Sequence, residues 1–270
     1  MRGLLLLAFV LAGCAPAPHY RSANESATVE PQPEPGQEPD AGEPPPRSPA
    51  MELRELAVPD HLPAIAAVPA SGAELPLVIA AHGAGGSPEW QCQHWARIVA
   101  GRALVLCPRG RRISLRSGDE GMYYYPDHFA LEREVMAMVT AARQTFGTRL
   151  SRAGGIYTGF SQGATMGALM IVDHAGDFPY LLLIEGATSE FSAQRARRFA
   201  AGGGKSVAFV CGGRHCATGA ENMAQVLRRA GLEARAEYVP RGGHTDDGPV
   251  GERASAVFEE MLAQTLAASD

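Results

Sequence analysis

Residues 155–168 read Gly-Ile-Tyr-Thr-Gly-Phe-Ser-Gln-Gly-Ala-Thr-Met-Gly-Ala. The first five residues predict a buried strand, Gly155–Gly159, and the small and apolar residues after Ser161 predict a helix. Ser161 then lies in a tight turn with a strained backbone, where the residues two positions away must be small, as Gly159 and Gly163 are. Such a turn exposes the serine hydroxyl above the sheet. The motif by itself is equally typical of a glycine-rich turn with an idle serine.

A second glycine-rich motif lies upstream of the serine. His82-Gly83-Ala84-Gly85-Gly86 follows the apolar segment Leu75–Ala81, which predicts a strand. A tetrahedral intermediate of acyl transfer needs two backbone N–H donors for its oxyanion, one from the residue after the nucleophile and one from an upstream loop. We assign these donors to Gln162 and Ala84. His82 is interpreted as a structural member of the motif rather than as an acid or base.

A third motif supplies a candidate general base. Arg241-Gly242-Gly243-His244 follows the last predicted strand, Ala234–Val239, and precedes a C-terminal helix. A histidine in that loop can reach over the edge of the sheet to Ser161, although it is also compatible with an exposed loop histidine. Asp246 and Asp247 are too close in sequence to orient the imidazole, and we expect them to cap the next helix.

The acid that would orient His244 is harder to place. The segment after the predicted strand Ser206–Cys211, where a carboxylate is expected, contains His215 and no acid. Glu185 ends the apolar predicted strand Tyr180–Glu185, where a charge needs a partner, and we predict it to complete a triad. Two alternatives remain: Glu185 binds backbone N–H groups in its own turn, or serine and histidine act without an acid. The lesser candidates for the acid are Glu190 and Glu221.

Apolar segments alternate with helical ones along the rest of the chain. This order predicts an α/β fold, a mostly parallel sheet of about seven or eight strands with helices on both faces. The clearest helix has an apolar stripe from Leu131 to Phe146, after Asp127 as N-cap. Further strands are predicted at Leu62–Val68 and Ala103–Cys107, with an edge strand near Met51–Val58.

Five cysteines are present, one of them near the N-terminus. The other four, in a chain that we expect to be exported, predict two disulfides. Proximity in sequence favours the pairs Cys92–Cys107 and Cys211–Cys216. A metal site is the alternative, but the spacing lacks a paired C-x-x-C pattern, so no metal is predicted.

Three segments together resemble the phospholipase/carboxylesterase branch of the α/β-hydrolases, to which dienelactone hydrolases are close: Gly159-Phe160-Ser161-Gln162-Gly163-Ala164, His82-Gly83-Ala84-Gly85 and Leu106-Cys107-Pro108-Arg109-Gly110. The resemblance implies the α/β-hydrolase fold and hydrolysis of a small carboxylic ester or thioester through an acyl-enzyme, with no cofactor or metal. A peptidase of the same fold is a further possibility. So is a non-catalytic envelope lipoprotein, which the missing acid after Cys211 favours.

An aromatic cluster, Met122-Tyr123-Tyr124-Tyr125-Pro126, lies in the long loop before the helix at Asp127. Loops at this end of such a sheet commonly shape ligand sites. Tyr123, Tyr124 and Tyr125 are therefore candidates for lining the acyl or alcohol pocket. Packing of the loop by its own aromatic rings is the alternative.

The N-terminus predicts export. Arg2 precedes an apolar run, Leu4–Leu11, that is too short to span a bilayer, which is typical of a secretory signal over residues 1–13. Leu11-Ala12-Gly13-Cys14 resembles the bacterial lipobox, which implies lipidation of Cys14 and a membrane anchor. Ala15 after the cysteine implies the outer membrane, facing the periplasm or the exterior. An ordinary signal peptide that contains a cysteine is the alternative.

Residues 14–50 differ in composition from the rest of the chain. They hold half of the 20 prolines and few large apolar residues, which predicts a disordered, semi-rigid tether. Residues 51–270 predict one globular domain. The formal net charge of −5, without basic clusters, argues against a nucleic-acid partner.

Overall fold

A computed structural model of the protein describes residues 51–267, except residues 71, 73 and 114–120. The predicted signal peptide (1–13), the lipidation site Cys14 and the predicted tether (14–50) lie outside the described residues. Within the part that is described, no helix is both long and apolar enough to cross a bilayer.

One eight-stranded sheet organises the described chain. The strands are β1 (Met51–Leu56), β2 (Ala64–Pro69), β3 (Leu77–Ala81), β4 (Leu104–Cys107), β5 (Arg111–Arg112), β6 (Tyr123–Tyr124), β7 (Ile156–Phe160), β8 (Tyr180–Ile184), β9 (Ser206–Cys211) and β10 (Glu233–Tyr238). The sheet has the order β1-β2-β4-β3-β7-β8-β9-β10, while β5 and β6 form a separate ribbon. In the large sheet β2 runs antiparallel to both β1 and β4, and the remaining neighbouring pairs are parallel.

Helices cover both faces of this sheet. They are α1 (Pro88–Val99), α2 (His128–Phe146), α3 (Gln162–Met170), α4 (Ala193–Ala201), α5 (Arg214–Arg229) and α6 (Gly248–Ala267). Helices α2 to α5 pack on one face and α1 and α6 on the other, so that each face has its own apolar core. Alternate residues of β3 contribute to different cores, Ile79 to the first and Val78 and Ala80 to the second.

The predicted fold class is confirmed. Strands β3, β4 and β8 are buried along their whole length, because helices cover both of their faces. The carboxyl ends of the parallel strands meet at one edge of the sheet. The segments that follow β3, β7, β8, β9 and β10 therefore emerge close together, and they carry the three sequence motifs and Glu185.

Several strand limits differ from the prediction for local reasons. β2 begins at Ala64 rather than Leu62, because the intervening Pro63 has no N–H to donate to a ladder. β8 ends at Ile184, because Glu185 has a positive φ of 52° and cannot continue the strand. The β5–β6 ribbon and helix α4 were not predicted, although the N-cap signal for α4 is present in Ser192.

Two disulfides join neighbouring elements. Cys92 of α1 is bonded to Cys107 at the end of β4. Cys211 at the end of β9 is bonded to Cys216 in the first turn of α5. These are the pairings that proximity in sequence favours, and the second disulfide lies at the edge of the sheet where the motifs meet.

Candidate active site

Ser161 occupies the turn between β7 and α3 in an unusual backbone conformation, with φ 49° and ψ −108°. A non-glycine residue holds such a conformation only where its surroundings impose it. A Cβ on Gly159 would lie 2.5 Å from the carbonyl carbon of Gly163, and one on Gly163 would lie 2.5 Å from the carbonyl oxygen of Ala81. The turn therefore requires both glycines.

The side chains of Ser161, His244 and Glu185 form one hydrogen-bonded chain. His244 Nε2 lies 2.9 Å from Ser161 Oγ, and His244 Nδ1 lies 3.0 Å from Glu185 Oε2. With the proton on Nδ1, the ring donates to the carboxylate and accepts from the serine hydroxyl. This is the relative arrangement of nucleophile, base and orienting acid in serine hydrolases.

Glu185 is held from two sides. Its other carboxylate oxygen, Oε1, accepts hydrogen bonds from the N–H groups of Gly212 and of Gly213, the latter at 3.2 Å. The Glu185 side chain is only 4% exposed, whereas that of His244 is 60% exposed. The sequence left contact with His244 and binding of backbone N–H groups as alternatives for Glu185, and the Glu185 carboxylate does both. The N–H groups that it binds belong to the loop after β9 rather than to its own turn.

Glycines bring the His244 loop against the loop after β9. Gly212 and Gly243 form an isolated antiparallel bridge. A Cβ on Gly242 would lie 2.5 Å from the Val250 side chain. This close approach of two backbones places His244 over Glu185.

The glycine-rich turn after β3 contacts Ser161 from another side. Gly83 to Gly86 form a turn closed by the Gly86 N–H and the Gly83 carbonyl oxygen at 2.9 Å. A Cβ on Gly83 would lie 3.2 Å from the Ser161 Cβ, so this turn packs directly on Ser161. Among the described residues, no acceptor binds the N–H of Ala84 or of Gln162. Both predicted oxyanion donors are therefore available to a ligand.

His82 lies beneath this turn. Its ring is buried, with Nδ1 2.7 Å from the Gly83 carbonyl oxygen and Nε2 3.0 Å from that of Arg109. Burial lowers the pKa of His82. The ring also stacks on Tyr125, with 4.7 Å between ring centroids. These contacts agree with a structural role for His82.

No protein-family model and no curated protein sequence matches the chain significantly. Solved structures do match it. A Klebsiella pneumoniae protein described as a candidate dienelactone hydrolase aligns over 80% of this chain and 99% of its own length, with a TM-score of 0.60 and 16% identity. The protein TT1662 from Thermus thermophilus aligns over 78% of this chain and 98% of its own (TM-score 0.59, 20% identity). Esterase PE8 aligns over 77% of this chain and 99% of its own length (TM-score 0.55, 20% identity).

The chain has the α/β-hydrolase fold. At these identities the likeness concerns the fold alone. The α/β-hydrolase fold places a nucleophile after one central strand and a histidine after the last, and β7 and β10 carry Ser161 and His244 in those positions.

The three tyrosines of the loop before α2 do not all face a cavity. Tyr123 and Tyr125 are buried. The Tyr123 hydroxyl accepts from Arg109 Nη1 at 3.1 Å. The Tyr125 hydroxyl donates to the Pro108 carbonyl at 3.1 Å and accepts from the His82 N–H at 3.3 Å. Both rings therefore pack the loop, although Tyr125 also lines a cavity of about 710 Å³ together with residues of α2. Tyr124 is partly exposed, and a role of the three tyrosines in lining the acyl or alcohol pocket stays a prediction.

Gln162 has a second role that the sequence did not reveal. Its side-chain oxygen accepts from the Tyr125 N–H at 2.8 Å, and its nitrogen donates to the Tyr125 carbonyl at 3.0 Å. The residue after the nucleophile is thereby clamped to the aromatic loop. No local pattern signals a contact between residues 37 positions apart.

The other candidate acids have different partners. Glu190 hydrogen-bonds to the neighbouring Ser189, Glu221 pairs with Arg228 at 2.6 Å, and His215 is exposed at the start of α5. Asp247 directly precedes α6, and its backbone carbonyl accepts from the Gly251 N–H at 3.2 Å. Its carboxylate also pairs with His94 Nδ1 at 3.2 Å.

One cluster among the described residues has the composition of a metal site. Potential ligand atoms of Glu185, Cys211 and Cys216 lie within 4.8 Å of one another. The two sulfurs are joined in a disulfide, so neither is a thiolate that could bind a metal.

Proposed function

We propose that this protein is a serine hydrolase that cleaves a carboxylic ester or thioester through an acyl-enzyme intermediate. The single observation that carries the proposal is the hydrogen-bonded chain from Ser161 through His244 to Glu185, at 2.9 and 3.0 Å. The α/β-hydrolase fold supports it, since the fold presents these three positions at one edge of the sheet.

In the proposed reaction His244 Nε2 takes the proton of Ser161 as Oγ attacks the carbonyl carbon of the ester. The negative charge that develops on the carbonyl oxygen is stabilised by the N–H groups of Ala84 and Gln162. Collapse of the intermediate breaks the bond to the alcohol or thiol, which leaves with the proton from His244. Water, activated by the same histidine, then releases the acid.

Glu185 orients His244 in this mechanism and does not receive its proton. The carboxylate accepts from Nδ1 and from two backbone N–H groups. It therefore keeps the proton on Nδ1 and leaves Nε2 free to accept from Ser161.

Labelling with a fluorophosphonate probe tests the proposal, because the probe reacts with an activated serine hydroxyl and not with an idle one. We expect the wild type to be labelled and the variants Ser161→Ala and His244→Ala to be unlabelled. Ser189→Ala, which removes another hydroxyl, is the matched control and should label as the wild type does. A wild type that remains unlabelled would leave the non-catalytic scaffold as the better interpretation of the fold.

Glu185→Gln tests the orienting role. We expect kcat for a simple ester to fall by about a hundredfold or more, because an amide at this position favours the wrong tautomer of His244. Fluorophosphonate labelling should become slower without disappearing. An unchanged kcat would eliminate Glu185 as the acid.

For the N-terminus we propose lipidation at Cys14 and anchoring in the outer membrane, with the enzyme facing the periplasm or the exterior. The sequence Leu11-Ala12-Gly13-Cys14 supports this. Metabolic labelling with an alkyne-bearing fatty acid in a Gram-negative host should mark the wild type and not Cys14→Ser. Equal labelling of both would contradict the proposal.

A further inference from the structure

A cleft of about 430 Å³ opens beside the oxyanion turn. Its walls come from residues 82–87, from the outer side of α1 and from the segment just after His244. The cleft shares Gly83 and Phe160 with the surroundings of the nucleophile. Phe160 also packs against the His244 ring, with 5.2 Å between ring centroids. The cleft therefore adjoins the reacting atoms.

Two buried polar groups of this cleft are incompletely hydrogen-bonded within the described residues. Gln91 is only 6% exposed, and its Nε2, which carries two N–H donors, has only the Asp246 carboxyl near it as an acceptor. His94 Nε2 is likewise buried and unpartnered within the described chain, while its Nδ1 faces Asp247 at 3.2 Å. A buried polar group without a partner costs stability. Side chains that are kept in this state beside a candidate nucleophile point to a polar ligand.

Acceptors lie close to these groups in the cleft. Asp246 and Asp247 line it, and Arg97 adds a cationic group at the rim. Burial raises the pKa of the Asp246 carboxyl, and the neighbouring Asp247 adds to the rise, while His94 and the nearby Gln91 amide oppose it. The wall thus offers hydrogen-bond donors and acceptors within one small volume.

A flat apolar surface completes the cleft. Trp90 lines it and is 73% exposed, the highest exposure among the large hydrophobic side chains of the described chain. An indole this exposed contributes little to the core of the protein. It presents a ring face on which another ring with apolar C–H groups can stack.

The mechanism indicates which part of a substrate reaches the cleft. The leaving oxygen must accept its proton from His244 Nε2, so the alcohol portion lies on the side of His244. Asp246 and Asp247, two and three residues beyond His244, belong to this same side. The acyl portion stays bonded to Ser161 and does not need this cleft.

We propose that the cleft binds the alcohol portion of the ester and that this portion is a polyhydroxylated ring, a sugar or a cyclic polyol. The proposal rests on the proposed esterase function and names its substrate class. Ring hydroxyls both donate and accept, which matches the N–H donors of Gln91 and the acceptors Asp246 and His94 Nε2, whose ring carries its proton on the Nδ1 that faces Asp247. The C–H face of the ring stacks on Trp90.

Other alcohols fit the cleft less well. An alkyl chain would leave His94 Nε2 and one N–H of Gln91 Nε2 desolvated and unpaired. Sites built to bind hydroxyl groups reject such a ligand most strongly. A cationic alcohol would be attracted to Trp90 and the two aspartates but repelled by Arg97.

Matched acetyl esters test the proposal in steady-state kinetics. Methyl 6-O-acetyl-glucopyranoside should have a kcat/KM at least about tenfold above that of hexyl acetate, the equivalent of one good hydrogen-bonding contact. Trp90→Ala and Gln91→Met should each lower the ratio of kcat/KM for the sugar ester to that for hexyl acetate by about tenfold. Tyr238→Ala, an exposed aromatic residue on the far edge strand β10, should leave this ratio unchanged.

A binding measurement separates this proposal from the esterase function. The chain has two tryptophans, and the other, Trp95, is buried. In Ser161→Ala, which cannot turn over, the sugar ester should change the intrinsic fluorescence saturably, and Trp90→Phe in that background should abolish the change.

The two proposals fail differently. Saturable binding without hydrolysis of either ester by the wild type would refute the esterase and leave the sugar site. Equal hydrolysis of both esters, with no fluorescence change, would refute the sugar site and leave the esterase. Absence of both signals would refute both.

Discussion

The candidate catalytic residues occupy strained positions. Ser161 and Glu185 both have a positive φ, 49° and 52°, which costs a side-chain-bearing residue about 1–3 kcal/mol. Each lies directly after a buried parallel strand and within two residues of a glycine that lets another backbone approach. A Cβ on Gly186 would lie 2.5 Å from the Ser161 carbonyl oxygen. The strain turns both side chains out of the sheet toward His244.

Gly163→Ala tests the steric requirement of the serine turn. The added Cβ would lie 2.5 Å from the Ala81 oxygen and 2.7 Å from the His82 oxygen, both backbone atoms. We expect a loss of about 1–3 kcal/mol in the free energy of unfolding from overpacking, and a fall in kcat of about a hundredfold from a misplaced nucleophile.

The control for this variant is Gly176→Ala, whose Cβ would have its nearest neighbour at 3.6 Å. Its thermal unfolding and ester hydrolysis should match those of the wild type. Full activity in Gly163→Ala would contradict the steric account of the turn.

Asp246→Asn tests a stability cost at the cleft. Because burial raises the pKa of Asp246, the folded state favours the protonated carboxyl. The wild type therefore loses stability relative to the Asn variant as the pH rises from 3.8, the ordinary pKa of an aspartate, through the raised value in the folded state. We expect Asp246→Asn to have the higher Tm at about pH 8, with the difference shrinking toward about pH 4.

The same variant should have a lower kcat/KM for the sugar ester. Thermal scans at several pH values and kinetics at one pH measure the two effects. A Tm difference that is independent of pH would show that the carboxyl does not titrate differently on folding.

At the scale of elements, the loop between β9 and α5 holds the Glu185 carboxylate in place. Its two N–H groups bind Glu185, and the Cys211–Cys216 disulfide closes the loop between residues five positions apart. The Cys92–Cys107 disulfide joins α1 to β4. Among the described residues, neither α1 nor β4 forms a hydrogen bond with the Glu185 side chain, whose partners are Gly212, Gly213 and His244. The two disulfides therefore have different expected effects on activity.

The double variants Cys211→Ser/Cys216→Ser and Cys92→Ser/Cys107→Ser test this difference. In the chain-entropy model the disulfides contribute roughly 2 and 3 kcal/mol, respectively, to stability. We expect the first variant to lose more kcat, at least about tenfold through the loosened Glu185, and the second to lose more Tm. A first variant with wild-type kcat would show that the loop holds Glu185 without its disulfide.

At the scale of the whole molecule, the few large apolar residues in 14–50 predict that the globular domain does not need the tether for its core. The apolar clusters on the two faces of the sheet run from Leu56 to Leu262. A chain that begins at residue 51 should therefore fold with the same Tm, within about 2 °C, as a chain that begins at residue 15. Its kcat/KM for a soluble ester should also be unchanged. A lower Tm would indicate that residues 15–50 pack on the domain.

Much of this architecture was predictable from local patterns. Continuous apolar runs identified the central strands, because helices on both faces leave no polar side. The glycines around Ser161 identified the turn, because a strained turn tolerates few residue types. Strand limits were less accurate where one residue decides the backbone, as Pro63 and Glu185 do.

The sequence by itself determined the α/β architecture, the serine turn and the order of Ser161 and His244, since each depends on residues that are neighbours in the chain. Only the tertiary structure decided the partner of His244. Glu185 lies 59 positions from it and meets it because β8, β9 and β10 are adjacent parallel strands whose loops leave the same edge. The cleft at Trp90 likewise joins α1 to the segment after His244. Such contacts depend on strand order and packing, which no local pattern of residues encodes.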